Sequence, residues 1–378
     1  MLSNQRHVFE VPGDVAYFNA AYMGPLLSAA AKAGREGLES RAAPWKTTPP
    51  DFFSTSERVR ELAAKLWGAS ADHVALVPAA SYGLATAARN LPVEKGQTIL
   101  TLADQFPSNI YVWRKLAAAR GANVRMAARG ANESWTDTVL NALDQGCAVL
   151  ALPQVHWVDG GRLDLERIAA AAREANAALA LDLTQSLGAL PFDAAAVDPD
   201  FAVAACYKWQ LGPYSTGTLY VAERHWRGQA LEENWIVRRG AEDFAGLTNY
   251  ADDYEPGARK FDMGERSNFQ LLPMVEAALS QIVEWTPEAV SETLGAFNAT
   301  LARTLEEAGL DCGGAPDRAN HYLTAALPDG APDTLIPQLA EKNVYISQRG
   351  PRLRITPHLH ANEDDIDRVT GALATVLG

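Results

Sequence analysis

The sequence predicts an α/β fold in which a large domain, built on a mostly parallel seven-stranded sheet, is joined to a smaller α+β C-terminal domain. Two observations carry this. From about residue 54 to 222, helical patterns alternate with short apolar runs, as in helices wound around a parallel sheet. After residue 256 the texture changes to long helical patterns, then short strands and a final amphipathic helix. The large domain is expected at residues 15–255 and the smaller one at 1–14 and 256–378.

Taken in order, Ser54 and Glu57 form a capping-box pattern ahead of Val59, Leu62, Ala63 and Leu66, which are apolar at helical spacing, and Gly68 stands where that helix should stop. Strand-like runs follow at 73–78, 98–103, 123–127, 147–152, 178–182, 201–206 and 218–222, with Ala- and Leu-rich helical stretches such as 165–176 between most of them. Helical patterns then cover 273–285 and 291–309. HYLTAALP (321–328), a helix near 333–342, RLRIT (352–356) and a helix from Asn362 complete the chain.

Of the 378 residues, 48% are apolar and 21% charged, enough to bury a large core. A net charge of -13 argues against nucleic acid or an anionic membrane as the main partner, because both select a basic face. No apolar run approaches a membrane span and the start lacks the pattern of a signal peptide, so a cytoplasmic protein with a small-molecule substrate is expected. Three widely spaced cysteines, Cys147, Cys206 and Cys312, show neither a disulfide framework nor metal-ligand spacing, and no metal is expected.

In an open parallel sheet, ligands bind outside the carboxyl ends of the strands. Four features stand there: Ala80-Ser81 opening a helix, Phe106 in DQFPSN (104–109), Asp182 closing ALAL, and Lys208 in ACYKWQLGPYSTGTLYV (205–221). Singly, each fits an ordinary structural role: an N-cap, a core ring, a capping acid, a solvated lysine. Together, an anion-binding helix start, a flat aromatic, an acid leaving a buried strand and a lysine are what a phosphorylated, cationic aromatic aldehyde requires. Pyridoxal 5'-phosphate is such a molecule.

The chain resembles the class V aminotransferase family of fold-type I pyridoxal-phosphate enzymes, which contains cysteine desulfurases, kynureninase and isopenicillin N epimerase. The resemblance runs through YFNAAYMGPL (17–26), AASYGLATAARNL (79–91), residues 104–109, ALDLTQSLGALPFD (180–193), residues 205–221, GERSNF (264–269) and RLRITPHLHANEDDIDRV (352–369), in the family's order. It implies Lys208 as the Schiff-base lysine that also moves the Cα proton, Asp182 as the partner of the pyridinium nitrogen, and Gln185 as a donor to the cofactor's phenolic oxygen. Phe106 would stack on the cofactor, and Tyr207, Ala80 and Ser81 would hold its phosphate. Ser267 and Asn268 match the stretch that reaches a partner's cofactor, implying a homodimer with the active site at its interface. Arg354 matches the arginine that clamps a substrate α-carboxylate, Asn19 lies where the family lines the same pocket, and His156 is expected to face the substrate.

Departures from individual members are visible too. The loop VYISQRGPRLR (344–354) has no cysteine where desulfurases carry their nucleophile, and Trp157 replaces their asparagine. Asn109 and Gln185 replace an acid and a histidine of kynureninase. The expected activity is therefore that of a transferase or lyase acting on an α-amino acid through an external aldimine and a Cα carbanion, by transamination or by C–S or Cβ cleavage. Isopenicillin N epimerase-like racemisation and a non-catalytic scaffold with the same fold are the alternatives.

Overall fold

Seven strands form the central sheet of the computed structural model, which describes residues 1–130, 132–313 and 317–377. In chain order they are β1 (Val74–Val77), β2 (Thr98–Leu102), β3 (Asn123–Ala127), β4 (Cys147–Pro153), β5 (Ala178–Asp182), β6 (Phe201–Ala205) and β7 (Gly217–Val221). Across the sheet they run β1-β7-β6-β5-β4-β2-β3, all parallel except β7, which is antiparallel to both β1 and β6. Each of the seven apolar runs is thus a strand of one sheet.

Both faces of that sheet are covered except along the edge strand β3, which explains why the other strands read as continuous apolar runs. Leu100, Leu102, Leu150, Leu152, Leu179 and Leu181 point into one core, and the alternate residues Ile99, Val149, Ala151 and Ala180 into the other. The helix Ala80–Asn90 lies so close to the second face that a Cβ on Gly83 would stand 2.5 Å from the Val203 side chain.

The smaller sheet is antiparallel, with Arg352–Ile355 in the middle flanked by Ser347–Arg349 and Leu323–Ala326. Ala16 and Phe18 share its core with Leu301, Leu323, Leu353 and Val369. From there the N-terminal segment crosses to the large sheet: Thr356 N donates to Phe18 O at 2.8 Å, and Gly24 N donates to Tyr207 O at 2.8 Å. The helix Leu271–Trp285 buries Leu272, Val275 and Leu279 in the core that also holds Val59 and Ala63 of the helix Ser54–Trp67. No described helix is long and apolar enough to cross a membrane.

One expected cap is not formed. Ser54 makes no cap at the start of the helix Ser54–Trp67, whose N-cap is Phe53, and Glu57 instead receives Arg259 Nη2 at 2.7 Å and Arg60 Nε at 3.2 Å. A carboxylate between two guanidinium groups gains more than it would from one backbone N–H. Gly68 does end that helix, at φ 60°.

Arg60 belongs to a fully buried ion network: its Nη2 lies 2.8 Å from Asp262 Oδ2, which also accepts Arg266 Nη1 at 2.6 Å, while Asp262 Oδ1 accepts Leu76 N at 2.7 Å. These bonds fasten the segment that carries Ser267 to β1. Burial alone would raise the Asp262 carboxyl, but Arg60 and Arg266 overcome it and hold it below its ordinary 3.8. A depressed carboxyl stabilises the fold above its unfolded value and ceases to do so as pH falls through the folded one. Asp262→Asn, which removes the carboxylate shared by two buried guanidinium groups and leaves Arg60 only the Glu57 carboxylate, is expected to cost about 3 to 5 kcal/mol in denaturant unfolding at neutral pH. The difference from wild type should shrink in acid below the ordinary carboxylate range.

Candidate active site

Loops after five parallel-strand ends enclose one cavity of about 220 Å³, into which Ser81, Phe106, Trp157, Asp182 and Lys208 all project. A second lobe of about 380 Å³ continues outward past the same lysine, lined by Tyr22, Met23, Tyr214, Arg349 and Arg354.

Lys208 is the centre of both. It follows β6 by three residues, its carbonyl is pressed so close to Gly24 that a Cβ there would stand 2.1 Å from Lys208 O, and its side chain is 6% exposed. Its Nζ lies 5.4 Å from the Phe106 ring centre and 5.5 Å from that of Tyr207. Desolvation pushes the amine down to about 8; Arg354 and Arg349 push the same way and Asp182 opposes them. A buried amine held near neutrality is poised to act as nucleophile and base.

Asp182 ends β5, is buried, and has its Oδ1 held by Thr184 N at 3.0 Å. Burial raises its carboxyl, with Thr184 and Lys208 as partial compensation. Gln185 is fixed at both ends of its amide, because Oε1 accepts Trp209 Nε1 at 3.1 Å and Nε2 donates to Ala21 O at 3.0 Å. That leaves one N–H of Nε2 for the cavity. Trp157 is held from two sides, its indole Nε1 donating to Asp104 O at 2.6 Å and its carbonyl accepting Arg354 Nη1 at 3.1 Å.

Arg354 is 1% exposed, its Nε donates to Ser347 Oγ at 3.1 Å, and its Nη2 is buried with no partner among the described residues. Ala80 and Ser81 open the helix Ala80–Asn90, where Ala79 offers no side-chain cap, so the first backbone N–H groups face the cavity unspent. Tyr207 packs against Tyr214 with ring centres 4.7 Å apart and the planes tilted by 56°.

The sequence-predicted residues do not all gather here. His156 is buried against Trp135, with Nδ1 3.1 Å from Asp159 Oδ1 and Nε2 3.2 Å from Ala103 O, and it lines neither lobe. Asn19 bridges to Thr356, and it is Ala21, Tyr22 and Met23 that line the outer lobe. Ser267 donates to Phe52 O, and Asn268 Oδ1 accepts Leu271 N at 2.9 Å; both line a separate cavity of about 550 Å³. Asn109 is buried and accepts Trp113 Nε1 at 2.8 Å. Conversely, sequence reasoning misses Thr184, Tyr214 and Arg349. Only Arg349, a second arginine five residues before Arg354, leaves a sequence signal.

The profile of the Aminotransferase class-V family matches residues 47–356. The chain belongs to this family. It is accordingly a pyridoxal-phosphate-dependent enzyme, a transferase or a lyase. Among curated relatives, a kynureninase of Deinococcus radiodurans is 30% identical over 318 residues, covering 81% of this chain and 74% of that one. A kynureninase of Shouchella clausii is 25% identical, covering 74% and 70%. Solved structures share the fold at lower identity. The cystine C–S lyase C-DES in complex with its reaction product cysteine persulfide gives a TM-score of 0.86 at 18% identity, covering 96% of this chain and 98% of that one. The apo cysteine desulfurase from Thermococcus onnurineus NA1 gives 0.83 at 15%, covering 100% and 99%.

The cavity suits the cofactor of this family. Asp182 and Lys208 face one space without forming an ion pair there, so a group set between them can be bonded to the amine and still present a cationic ring nitrogen to the acid.

Proposed function

We propose that this enzyme binds an α-amino acid, removes its Cα proton and cleaves a bond at Cβ, as a lyase. When bound, pyridoxal phosphate supplies the sink for the electron pair left at Cα. Lys208 Nζ would anchor the cofactor and, as a neutral amine, would take the substrate's Cα proton. The Asp182 carboxylate would keep the ring nitrogen charged, Gln185 Nε2 would donate to the phenolic oxygen, and Phe106 would cover the ring. Ser81, the N–H groups at the start of its helix and Tyr207 would hold the phosphate. Arg354 takes the substrate's α-carboxylate, since a buried fork with a free Nη2 matches that planar anion.

The observation that carries this is the buried, cation-flanked Lys208 sharing one cavity with Asp182. Lyase chemistry is favoured over persulfide transfer by the cysteines. All three are buried, and burial pushes their thiols up, Cys206 to about 12; a thiol so raised is a poor sulfur acceptor. The relatives named as kynureninases and the fold shared with a C–S lyase agree with chemistry on the side chain. We further propose a cytoplasmic homodimer in which Ser267 and Asn268 approach the partner's cofactor.

Adding pyridoxal phosphate to cofactor-free protein should produce visible absorbance at a rate that climbs about tenfold per pH unit up to about 8 and levels beyond it, because only the neutral amine reacts. The loaded protein mixed with a panel of amino acids should release the departing side-chain fragment together with either a keto acid and ammonia, if the bond from Cβ to a leaving heteroatom is cut, or alanine, if a Cβ–Cγ bond is cut. A keto acid formed with the cofactor left as its amine would indicate transamination instead, and an unresponsive spectrum would indicate a scaffold.

A further inference from the structure

The outer lobe carries more positive charge than an α-carboxylate needs. In the small antiparallel sheet Arg349 pairs with Arg352 and Ser347 with Arg354, so three arginines stand on one face, opposite to the face that buries Leu353 in the small-domain core. Arg352 is spent: it donates to Gly313 O and, from Nε, to Thr324 Oγ1 at 3.3 Å. The other two turn to the cavity.

Both converge on Trp157. Arg354 holds the Trp157 carbonyl, and the Arg349 guanidinium lies 5.4 Å from the indole ring centre. Arg349 gives Nη1 to Gln348 O at 2.7 Å, and its Nε is buried without a partner among the described residues. The protein partners of both guanidinium groups are neutral carbonyl and hydroxyl oxygens. Arg354 is further repelled by Arg349 itself. Two like charges beside a buried lysine, each with an unused donor, cost stability unless a ligand supplies anions.

We propose that the substrate is an α-amino acid with a second anionic group, a carboxylate or sulfur oxyacid, on its side chain: Arg354 binds the α-carboxylate and Arg349, stacked on Trp157, binds the second anion. This rests on the proposed reading of the cavity as an amino-acid site and names its substrate class. Arg349 is then a specificity residue. It lines the outer lobe beside Lys208 and not the inner cavity that holds Asp182.

The test is equilibrium titration of the loaded protein, followed by its visible spectrum, with L-aspartate, L-glutamate, L-cysteate and L-homocysteate against L-asparagine and L-glutamine. The acids should bind roughly 10- to 100-fold more tightly than the isosteric amides, the range expected for one charge-assisted fork. Arg349→Gln should bring that ratio to within about threefold, Arg349→Lys should restore part of it, and Arg354→Gln should weaken acids and amides alike. Cofactor-free wild type should also gain thermal stability from glutarate or succinate beyond that from acetate. If amino acids bind with no acid preference, or if Arg349→Gln keeps the preference, the second-anion assignment is overturned while the amino-acid site stands. If no amino acid alters the spectrum, the amino-acid site itself falls. Should Arg349→Gln fail to fold, the wild-type ratio and the lysine variant decide.

Discussion

Replacing Lys208 by alanine is expected to leave a folded protein that cannot join pyridoxal phosphate covalently and whose turnover falls by about 10³-fold or more, because one amine is both the anchor and the base. Borohydride reduction of loaded wild type should fix the cofactor to the peptide containing Lys208. The same treatment of the alanine variant should fix none, and a reducible adduct surviving in the variant would show that another amine does this work. The fold should tolerate the change, because Lys208 makes no ion pair among the described residues and its side chain ends in a cavity open to the outer lobe.

The same variant reports on the amine's titration. Burial lowers Lys208 from 10.5 to about 8 in the folded chain, so the folded state binds fewer protons than the unfolded one between those values. Its contribution to stability is therefore full above 10.5 and is lost as pH falls to about 8. Cofactor-free wild type should gain stability relative to Lys208→Ala as pH rises across that window. Denaturant midpoints of the two proteins, compared from pH 7 to 10.5, measure this directly.

How much of the fold and the site is legible in the sequence follows from the kind of force that fixes each element. The seven strands are, because a sheet covered on both faces demands unbroken apolar runs such as FAVAA and ALAL. Their order, and the reversal of β7 between β1 and β6, is not: every residue of β7 is buried whichever way the strand runs, and pairing depends on contacts distant in sequence. Lys208 and Asp182 are legible because a charge at the end of a buried strand is costly to desolvate and is retained where a ligand or a partner meets it. His156 is not, since only the fold reveals that Asp159 and Ala103 already occupy both of its ring nitrogens. The capping pattern at Ser54 fails for a similar reason: Arg259, which draws Glu57 away, is 202 residues further along the chain. Arg349 shows the intermediate case. Its spacing from Arg354 is plain in the sequence, but only the register of the hairpin through Gly350 and Pro351 puts both on one face.

Asp182→Asn should separate binding of the cofactor from its use. The amide keeps the shape and can still accept the Thr184 N–H, but it carries no charge to set against a protonated ring nitrogen. Cofactor should still become linked to Lys208, with visible absorbance, while turnover falls roughly 10²- to 10³-fold, the usual loss when one preorganised electrostatic group is removed. A second consequence runs through the lysine. In the cofactor-free protein Asp182 is the group that holds the Lys208 amine up against desolvation and the two arginines, so its loss moves that amine further down. Cofactor uptake by the variant should then reach its plateau at a lower pH than in wild type, even though catalysis is slower. Asp182→Glu, which restores the charge on a longer arm, should return the uptake profile toward wild type and recover turnover only in part. A variant in which uptake and turnover decline together would place Asp182 in the folding of the cavity and leave the ring nitrogen to another partner.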